Sequence, residues 1–436
     1  MEKIEPRTLP GFMELLPEYQ ILFNQMREKI AKTYEKFGFL PLDTPIIEDS
    51  KVLLAKAGGE TEKQIYRFNK GESDLSLRFD LTVPLAKFVA KNYNDLAFPF
   101  RRYQIGKVYR GEKQQKGRFR EFYQCDIDII GDGFLSNIND AELPAVIYNT
   151  FKELGFEKFT ICINNRKILN GLFESLELTE KSADILRIID KIEKIGEENV
   201  IKELESLEVE ENKINNIIKF IEITGSNEEK IDSLENLKIQ NEVFNKGLEE
   251  LKEVLKYVKI FGVPDKNIKI DLKIARGLDY YTGTVYETFL DDYKELGSIC
   301  SGGRYENLAE YYTEKSLPGV GISIGLTRLF YQLNEINLIK AEKKSISDCI
   351  IIPMCENFEY VSKSAGELRK NNINTQIYLE DKKIKAKFKY VDKLQTPFAI
   401  VIGEDEITEN KCTLKNMQTG EQEKLSIEDV IDKIKQ

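Results

Sequence analysis

The sequence contains neither histidine nor tryptophan among its 436 residues. Without histidine the chain cannot use an imidazole of its own as an acid or base, and it cannot bind a metal through imidazole ligands. Cysteine or carboxylate chemistry stays open, as does catalysis by positioning and charge alone. The six cysteines are scattered, without the paired spacing of a zinc site or a disulfide framework. We therefore expect a reduced, cytoplasmic setting and no metal centre built by the protein itself.

Long apolar runs are also missing. No run approaches the roughly 18 residues that a membrane span needs, and the opening MEKIEPRTLPGF has no apolar signal core. We expect no membrane association. With 41% hydrophobic and 32% charged residues, the composition is that of an ordinary folded protein. The formal charge of −10 argues against indiscriminate nucleic-acid binding but leaves room for a local basic patch.

Apolar spacing predicts a helix over residues 15 to 37 and an edge or interface strand in FLPLDTPIIED. The stretch LSLRFDLTVPLAKFVA predicts strand, turn and helix, with Thr82 as the helix cap and Pro84 in the first turn. Residues 166 to 262 carry a helical pattern, for which an irregular coiled coil is the alternative. Strand and helix patterns alternate over residues 347 to 436, which indicates a small α/β domain.

The stretch VYRGEKQQKGRFREFYQCDIDIIG, residues 108 to 131, places five cations within eleven positions and then alternates as a strand does. A period of two predicts one polar face, made of Arg118, Arg120, Phe122, Gln124, Asp126 and Asp128. It predicts an opposite core face, made of Phe119, Tyr123, Cys125, Ile127 and Ile129. Such a face could hold a polyphosphate at its Arg end and a cationic or N–H-bearing ligand at its Asp end. The alternative is a solvated strand with cross-strand ion pairs.

Two later stretches also carry candidate chemistry. ARGLDYYTGTVYE places Arg276, Asp279 and a pair of tyrosines in a turn that enters a strand, although core aromatics at a bend would look the same. In CSGGRYENL, Gly302 and Gly303 permit close backbone approach. GVGISIGLTRL then leads into a helix whose first turn carries Arg328, and a helix N-terminus with an added guanidinium suits phosphate.

In this order, these stretches resemble the histidyl-tRNA synthetases, a family of class II aminoacyl-tRNA synthetases. The resemblance covers nearly the whole chain and includes PGFMELLP, PLDTPIIE, LRFDLT, RGLDYYTG, GGRYENL and AIVIGEDEI. It implies an α+β fold: a class II catalytic domain built on an antiparallel sheet over residues 1 to 330, with a helical insertion at about 166 to 262. A linker at 331 to 346 and a C-terminal α/β anticodon-binding domain at 347 to 436 complete the expected organisation, in a homodimer.

The resemblance also implies residue roles. Asp80, Thr82 and Gln124 are expected at the substrate's α-ammonium, and Asp128, Tyr280 and Tyr281 at its imidazole. Arg110 and Arg276 are expected to be catalytic, on opposite sides of the ATP α-phosphate. Glu112, Phe122 and Arg328 are expected at the adenine and γ-phosphate. ATP and Mg²⁺ are the implied co-substrate and ion. Several members carry Glu where Asp80 and Asp128 stand, so the carboxylates of this chain extend less far into the expected pocket.

Six lysines are candidate contacts to tRNA(His). Two lie in the basic loop, and four lie along DKKIKAKFKYVDKL, where Ile384, Phe388 and Val391 predict an apolar stripe. These lysines are Lys113, Lys116, Lys382, Lys385, Lys389 and Lys393. The alternative for the last four is a solvated helix face without a partner.

A second function belongs to another class. Non-catalytic paralogues of this family act as regulatory subunits of ATP phosphoribosyltransferase, and they usually lack the C-terminal domain and lose the ATP-binding arginines. This chain keeps Arg110, Arg276 and Arg328 as well as residues 347 to 436. The sequence therefore favours an ATP-dependent histidine–tRNA ligase.

Overall fold

The structure, a computed structural model, describes residues 3–55, 60–113, 117–189, 192–274, 281–306 and 308–435. It divides into two compact units. The first comprises Met1–Met13 and Met26–Ile336, and the second comprises Glu14–Gln25 and Asn337–Gln436.

Up to residue 336 the described strands are β1 (Leu40–Pro41), β2 (Ile47–Asp49), β3 (Arg67–Lys70), β4 (Ser73–Leu77), β5 (Phe100–Tyr109), β6 (Glu121–Ile130), β7 (Phe159–Asn165), β8 (Ile268–Ile270), β9 (Tyr281–Leu290), β10 (Cys300–Tyr305) and β11 (Gly319–Gly325). The helices are α1 (Pro17–Lys36), α2 (Ser50–Leu54), α3 (Glu60–Gln64), α4 (Thr82–Lys91), α5 (Ile138–Glu153), α6 (Arg166–Ser175), α7 (Ser182–Ile189), α8 (Ile192–Ile195), α9 (Glu197–Ser206), α10 (Glu211–Ile221), α11 (Asn227–Asn236), α12 (Glu242–Ile260) and α13 (Leu326–Glu335). Helix α1 confirms the helix predicted over residues 15 to 37.

Within the described ranges, eight strands of the first unit form one sheet in the order β1-β5-β6-β11-β10-β9-β7-β8. The central pairs are antiparallel, whereas β1 and β8 join the two edges in parallel. The short edge strand β1 contains Pro41, as the sequence predicts, since proline cannot donate to a neighbouring strand. Strands β2, β4 and β3 form a separate small antiparallel sheet. The α+β class with a large, mostly antiparallel sheet is confirmed.

The start of α4 corrects one prediction. Thr82 opens the helix, but its side chain makes no cap. The cap comes instead from Asp80, whose Oδ1 accepts hydrogen bonds from the backbone N–H groups of Thr82 at 3.1 Å and Val83 at 2.9 Å. Asp is as good a cap as Thr, and here it stands two residues earlier. Pro84 does lie in the first turn.

Between β7 and β8 the described residues form the helices α6 to α12. The longest, α12, has 19 residues, which is shorter than the three or four heptads that a sustained coiled coil needs. The coiled-coil alternative therefore does not hold for these residues. The division of the chain into a catalytic domain, insertion and linker stays a proposal.

In the second unit the strands are β12 (Cys349–Met354), β13 (Thr375–Ile377), β14 (Phe398–Gly403), β15 (Cys412–Asn416) and β16 (Gln422–Leu425). The helices are α14 (Phe358–Lys370), α15 (Ile384–Lys393), α16 (Glu404–Thr408) and α17 (Ile427–Lys435). The sheet order is β13-β12-β14-β15-β16, with the first three strands parallel. The apolar runs that the sequence marks as strands supply its core, including Ile351 and Ile400.

Candidate active site

A cleft of about 470 Å³ opens on the large sheet. Its floor is the polar face of β6, and its walls come from the start of α4, the ends of β9 to β11 and the first turn of α13. It brings together nine of the residues predicted for the site: Asp80, Thr82, Arg110, Glu112, Phe122, Gln124, Asp128, Tyr281 and Arg328. The predicted Arg276 and Tyr280, together with Lys116, lie outside the described residues.

Aromatic rings and arginines form one end of the cleft. The guanidinium of Arg110 lies 4.3 Å from the ring centroid of Phe79 and 5.0 Å from that of Phe122. Its Nε donates to the carbonyl oxygen of Phe79 at 3.2 Å, which fixes the side chain further. The two rings hold the charge in place by cation–π attraction while leaving it cationic.

Arg328 lies in the first turn of α13 and donates from Nη2 to the carbonyl oxygen of Leu296 at 2.8 Å. The helix N-terminus and the guanidinium thus face the same cleft. Glu112 pairs with Arg118 at 3.0 Å. This end therefore offers fixed positive charge in a partly enclosed space, which suits an anion such as a phosphate chain.

The predicted strand face is wrong at its beginning. Strand β6 starts only at Glu121, so the period of two does not extend to residues 118–120. Phe119 lines the cleft and packs edge-on against Tyr331 at 5.3 Å, instead of facing the core. Arg120 donates to the carbonyl oxygen of Glu112 at 3.1 Å and is not part of the cleft lining. From Phe122 to Asp128 the polar face is confirmed.

Three buried carboxyls form the opposite end: Asp80, Asp126 and Asp128 are 6%, 3% and 3% exposed. Burial raises the pKa of each, to about 7 for Asp126 and about 6 for Asp128, and the Arg102 charge opposes each rise. Arg102 is fully buried and pairs through Nη2 with Asp128 Oδ2 at 2.6 Å. The carboxyls outnumber this one buried counter-charge, so this end of the cleft attracts a cationic or N–H-bearing group.

Hydrogen-bond partners separate these carboxyls. Asp128 is occupied on both oxygens, because Oδ1 also accepts from the hydroxyl of Tyr305 at 2.8 Å. Asp126 Oδ1 is buried and has no partner within the described part of the chain. The same is true of Gln124 Oε1, whose Nε2 donates to Ser323 Oγ at 2.8 Å. Two unpartnered acceptors therefore point to a ligand that donates hydrogen bonds.

Glycines allow the strands at the cleft floor, and the carboxylate of Asp128, to approach one another closely. A Cβ added to Gly321 would lie 2.2 Å from Asp128 Oδ1, and one added to Gly302 would lie 2.1 Å from the carbonyl oxygen of Gly321. The predicted close backbone approach at Gly302 is confirmed, and so is that at Gly303, where a Cβ would lie 2.7 Å from the carbonyl oxygen of Thr284. A side chain at these positions would push the strands or the carboxylate away.

Residues 11–329 match the family model described as histidyl-tRNA synthetase, and residues 348–436 match the anticodon-binding domain. The chain belongs to the histidyl-tRNA synthetase family. It is 62% identical to the histidine–tRNA ligase of Clostridium tetani, over 99% of this chain and 98% of that protein. It is 52% identical to that of Finegoldia magna, over 99% of this chain and all of the other. The crystal structure of histidyl-tRNA synthetase from Nostoc sp. PCC 7120 is 40% identical, covers 99% of both chains and superposes with a TM-score of 0.90.

As a member of this family, the chain is an ATP-dependent aminoacyl-tRNA ligase of protein biosynthesis. The regulatory-subunit alternative finds no support, because full-length relatives carry the ligase name. Among the described residues no cluster of three acidic or cysteine side chains could hold a metal ion, and no helix is long and apolar enough to span a membrane.

In the second unit, the predicted exposure of the candidate tRNA-contact lysines is confirmed, but the apolar stripe predicted beside them is only partly correct. Lys382, Lys385, Lys389 and Lys393 are all exposed, as is Lys113 in the first unit. Phe388 and Val391 pack in the core as expected, but Ile384 is 42% exposed, so the predicted stripe is wrong at its first position. Ile384 is the first residue of α15. Lys387, which the pattern missed, is buried and donates to the carbonyl oxygen of Pro353 at 2.7 Å.

Proposed function

We propose that the cleft activates L-histidine with ATP, forming histidyl-adenylate and pyrophosphate, and then transfers the histidyl group to the terminal ribose of tRNA(His). One observation carries this proposal: the cleft has two ends of opposite character. Buried acceptors without partners lie at one end, and guanidinium groups and a helix N-terminus lie at the other. If histidine binds at the first end and ATP at the second, the N–H donors of histidine meet the acceptors and the phosphates of ATP meet the guanidinium groups.

The amino acid occupies the acidic end. Asp80 and Gln124 accept from its α-ammonium beside Thr82, while Asp128, Tyr281 and Tyr280 surround its ring. Asp80 has one oxygen committed to the helix cap, so its other oxygen is available to the ammonium. Burial in this end strengthens each contact, since little water competes for the same groups.

ATP occupies the basic end. Arg110 lies at the α-phosphate, Phe122 and Glu112 at the adenine, and Arg328 at the γ-phosphate. Arg276 completes the set opposite Arg110. The carboxylate of histidine attacks the α-phosphorus while fixed guanidinium groups stabilise the charge that develops on the phosphate oxygens. No protein imidazole is needed in this step, which agrees with the histidine-free composition.

Mg²⁺ fits the oxygen donors on the cleft wall, where Glu287 and Ser301 lie among the lining residues. It commonly binds through one or two carboxylates together with substrate phosphates, so it would arrive with ATP. When bound, it supplies charge neutralisation for the phosphates.

The exposed lysines of α15 and its preceding turn contact the anticodon arm of tRNA(His), and Lys113 and Lys116 contact its acceptor end. We place the enzyme in the cytoplasm, because all six cysteines are free thiols in the structure. It works as a homodimer. Leu40, Ile46 and Ile47 around the edge strand β1 expose 58%, 40% and 48% of their surface, and pairing would bury them.

The deciding experiment is pyrophosphate exchange dependent on L-histidine, measured with the purified protein. We expect exchange with histidine and none with the other amino acids, followed by charging of tRNA(His). A protein that binds histidine but never exchanges pyrophosphate would be a regulatory paralogue, and the proposal would fail.

A further inference from the structure

The start of β9 lies beyond the end of its neighbouring strand β7. The last pair that joins the two strands is Asn165 with Thr284, and Tyr281 precedes Thr284 by three residues. Strand β7 ends there because the side chain of Asn165 caps α6, which begins at Arg166. Tyr281 lines the cleft, and its backbone carbonyl on this side of the sheet takes its partner from outside the strand ladder.

That partner is the guanidinium of Arg166, whose Nη1 donates to the carbonyl oxygen of Tyr281 at 3.0 Å. Arg166 is half-buried, and a hydrogen bond from a charged group is stronger than one between neutral groups. Two residues earlier, the fully buried Asn164 donates from Nδ2 to the carbonyl oxygens of Leu272 at 3.3 Å and Ile274 at 3.2 Å. The short stretch from Asn164 to Arg166 therefore binds the chain both before residue 275 and after residue 280.

Helix α12 holds this stretch from the other side. Glu250 on α12 is 5% exposed, and its Oε1 pairs with Lys167 Nζ at 2.6 Å. Its Oε2 accepts from Asn165 Nδ2 at 2.9 Å. One buried carboxylate thus binds the residues immediately before and after Arg166, so the backbone from which the guanidinium extends is fixed on both sides.

The backbones of α6 and α12 also touch directly. A Cβ added to Gly171 on α6 would lie 2.3 Å from the backbone nitrogen of Phe244, and one added to Gly247 on α12 would lie 2.7 Å from that of Ile168. Glycine at these two positions lets the helices approach to a distance that a side chain would prevent. The two helices therefore form one packed support for Arg166.

The side chain of Tyr281 reaches the acidic end of the cleft. Burial, followed by the charges of Asp128, Asp126 and Asp80, raises the pKa of Tyr281. The hydroxyl is therefore neutral and can donate or accept one hydrogen bond to a ring nitrogen. Such a bond weakens steeply when its angle is poor, so the hydroxyl is useful only where the backbone of Tyr281 is held in place.

We propose that Arg166 is a positioning residue of the histidine site, which fixes the backbone of Tyr281 and is itself held in place by α6 and α12. This inference rests on the proposed function, since it concerns how the ring of histidine is bound. It gives the helices between β7 and β8 a part in binding the amino acid, although none of their described residues lines the cleft. Arg166 acts through Tyr281 and does not touch the substrate.

The test measures histidine-dependent pyrophosphate exchange with Arg166→Met, which keeps the approximate length of the side chain and removes its donors. We expect the KM for histidine to rise about 10- to 100-fold, as for the loss of one hydrogen bond from a charged group, and the KM for ATP to change less than about twofold. Arg166→Lys keeps a cationic donor and should recover part of the loss. Arg166→Gln is uncharged and shorter, so it should show the same rise and serves if Arg166→Met does not fold.

A double-mutant cycle distinguishes positioning from a general loss of stability. Tyr281→Phe removes the hydroxyl whose position Arg166 sets. In that background, Arg166→Met should raise the KM for histidine less than about threefold further, because the group it positions is already gone. A residue that only stabilises the fold would raise the KM by the same factor in both backgrounds, since effects at independent sites multiply.

Two further variants complete the design. Arg101 is the matched control, because it is half-buried in the same unit and its Nη2 donates to the carbonyl oxygen of Phe37 at 3.0 Å. Arg101→Met should leave the KM for histidine at the wild-type value. Glu250→Leu removes both acceptors that hold the residues around Arg166, so it should raise the KM for histidine in the wild-type background but not in Arg166→Met.

Two kinds of failure can be told apart. If wild type shows no histidine-dependent exchange, the proposed function itself is wrong. If wild type is active but Arg166→Met and Arg166→Gln keep its KM for histidine, Arg166 has no positioning role. The same conclusion follows if the effects of Arg166→Met and Tyr281→Phe multiply, or if Arg101→Met raises the KM for histidine as much as Arg166→Met does.

Discussion

Two buried polar regions of the same sheet differ in one respect: whether every group has a partner. Around Asp140, which is fully buried, Arg304 donates from Nη2 at 2.7 Å and Thr284 from its hydroxyl at 2.7 Å. The backbone carbonyl of Asp140 accepts from Tyr286 at 2.7 Å. At the cleft floor, by contrast, Asp126 Oδ1 and Gln124 Oε1 are buried and have no partner within the described residues.

This difference separates structure from binding. The Asp140 cluster ties α5 to β9 and β10, and its charges are paired with each other, so these charges stabilise the fold. The cleft floor leaves acceptors unsatisfied at a cost in folding free energy, and a ligand is needed to recover that cost. A pattern of charged residues alone would not distinguish the two regions.

The largest effect is expected from breaking the paired region. Asp140→Asn removes the only carboxylate that contacts the buried Arg304 in the described structure. A buried charge that loses its partner typically costs about 3–5 kcal/mol. We expect the free energy of unfolding to fall by that amount in chemical denaturation, whereas the exposed control Asp132→Asn should leave it unchanged. A fully stable Asp140→Asn protein would mean that pairing does not distinguish the regions.

At the cleft floor we expect a substitution to raise the free energy of unfolding instead of lowering it. Asp126 holds its proton more tightly in the folded protein, with a pKa of about 7, than in the unfolded chain, where the value is about 3.9. As pH rises through this window the unfolded chain releases the proton first, so the wild type loses stability between about pH 4 and pH 7 and has lost all of this contribution above it. Asp126→Asn cannot titrate and avoids the loss.

We therefore expect unliganded Asp126→Asn to be more stable than wild type by on the order of 2–4 kcal/mol at about pH 8, and by less at about pH 5.5. Denaturant titrations at the two pH values measure this difference. A variant that is less stable than wild type at both would show that the Asp126 carboxylate already has a partner in the folded protein.

The exposed lysines at α15 differ from both buried regions, because water already solvates their charges. Changing Lys382, Lys385, Lys389 and Lys393 together to Gln should leave folding and adenylate formation intact, because these side chains are solvated. Each lysine that contacts a tRNA phosphate should remove about 0.7–0.9 from the slope of log affinity against log salt concentration. Filter binding over a salt series measures the slope. An unchanged slope would place the anticodon arm elsewhere.

The smallest effect is expected for an exposed pair on α1. Glu28 and Lys32 lie one turn apart at 2.6 Å, and both side chains are more than half exposed. Such a pair gains little over its hydration, so Glu28→Gln should leave the thermal midpoint unchanged within error. A clear loss of stability would show that the distance between two opposite charges, and not their burial, decides how much an ion pair stabilises this protein.

Local patterns in the sequence predicted those parts of the site that lie on one strand. Phe122, Gln124 and Asp128 share a face because the period of two is a property of the strand alone. The prediction failed at Arg120 and Phe119, since nothing in the pattern marks Glu121 as the start of the strand. The sequence predicts Thr82 as the cap where Asp80 serves, because both residue types cap well and only the backbone path decides which of them does.

Pairings between distant segments were not predictable from local patterns. Arg102, Asp128 and Tyr305 come from β5, β6 and β10, and the register of three strands brings them together. Because Arg102 and Tyr305 both bond to Asp128, the two oxygens of Asp128 are occupied, whereas Asp126 keeps an oxygen without a partner among the described residues. The unpartnered oxygen of Asp126 is therefore visible only once its neighbours have been placed, although the alternating pattern already predicts the face on which Asp126 lies.

The absence of histidine from the chain gives the complex an uncommon spectroscopic property. Every imidazole nitrogen in a complex with isotope-labelled histidine belongs to the ligand, so its nuclear magnetic resonance signals are free of any background from protein imidazoles. The chemical shifts of the two ring nitrogens report directly which of them carries a proton. The charge that the buried carboxyls impose on their ligand can thus be observed as a titration of the bound ring itself.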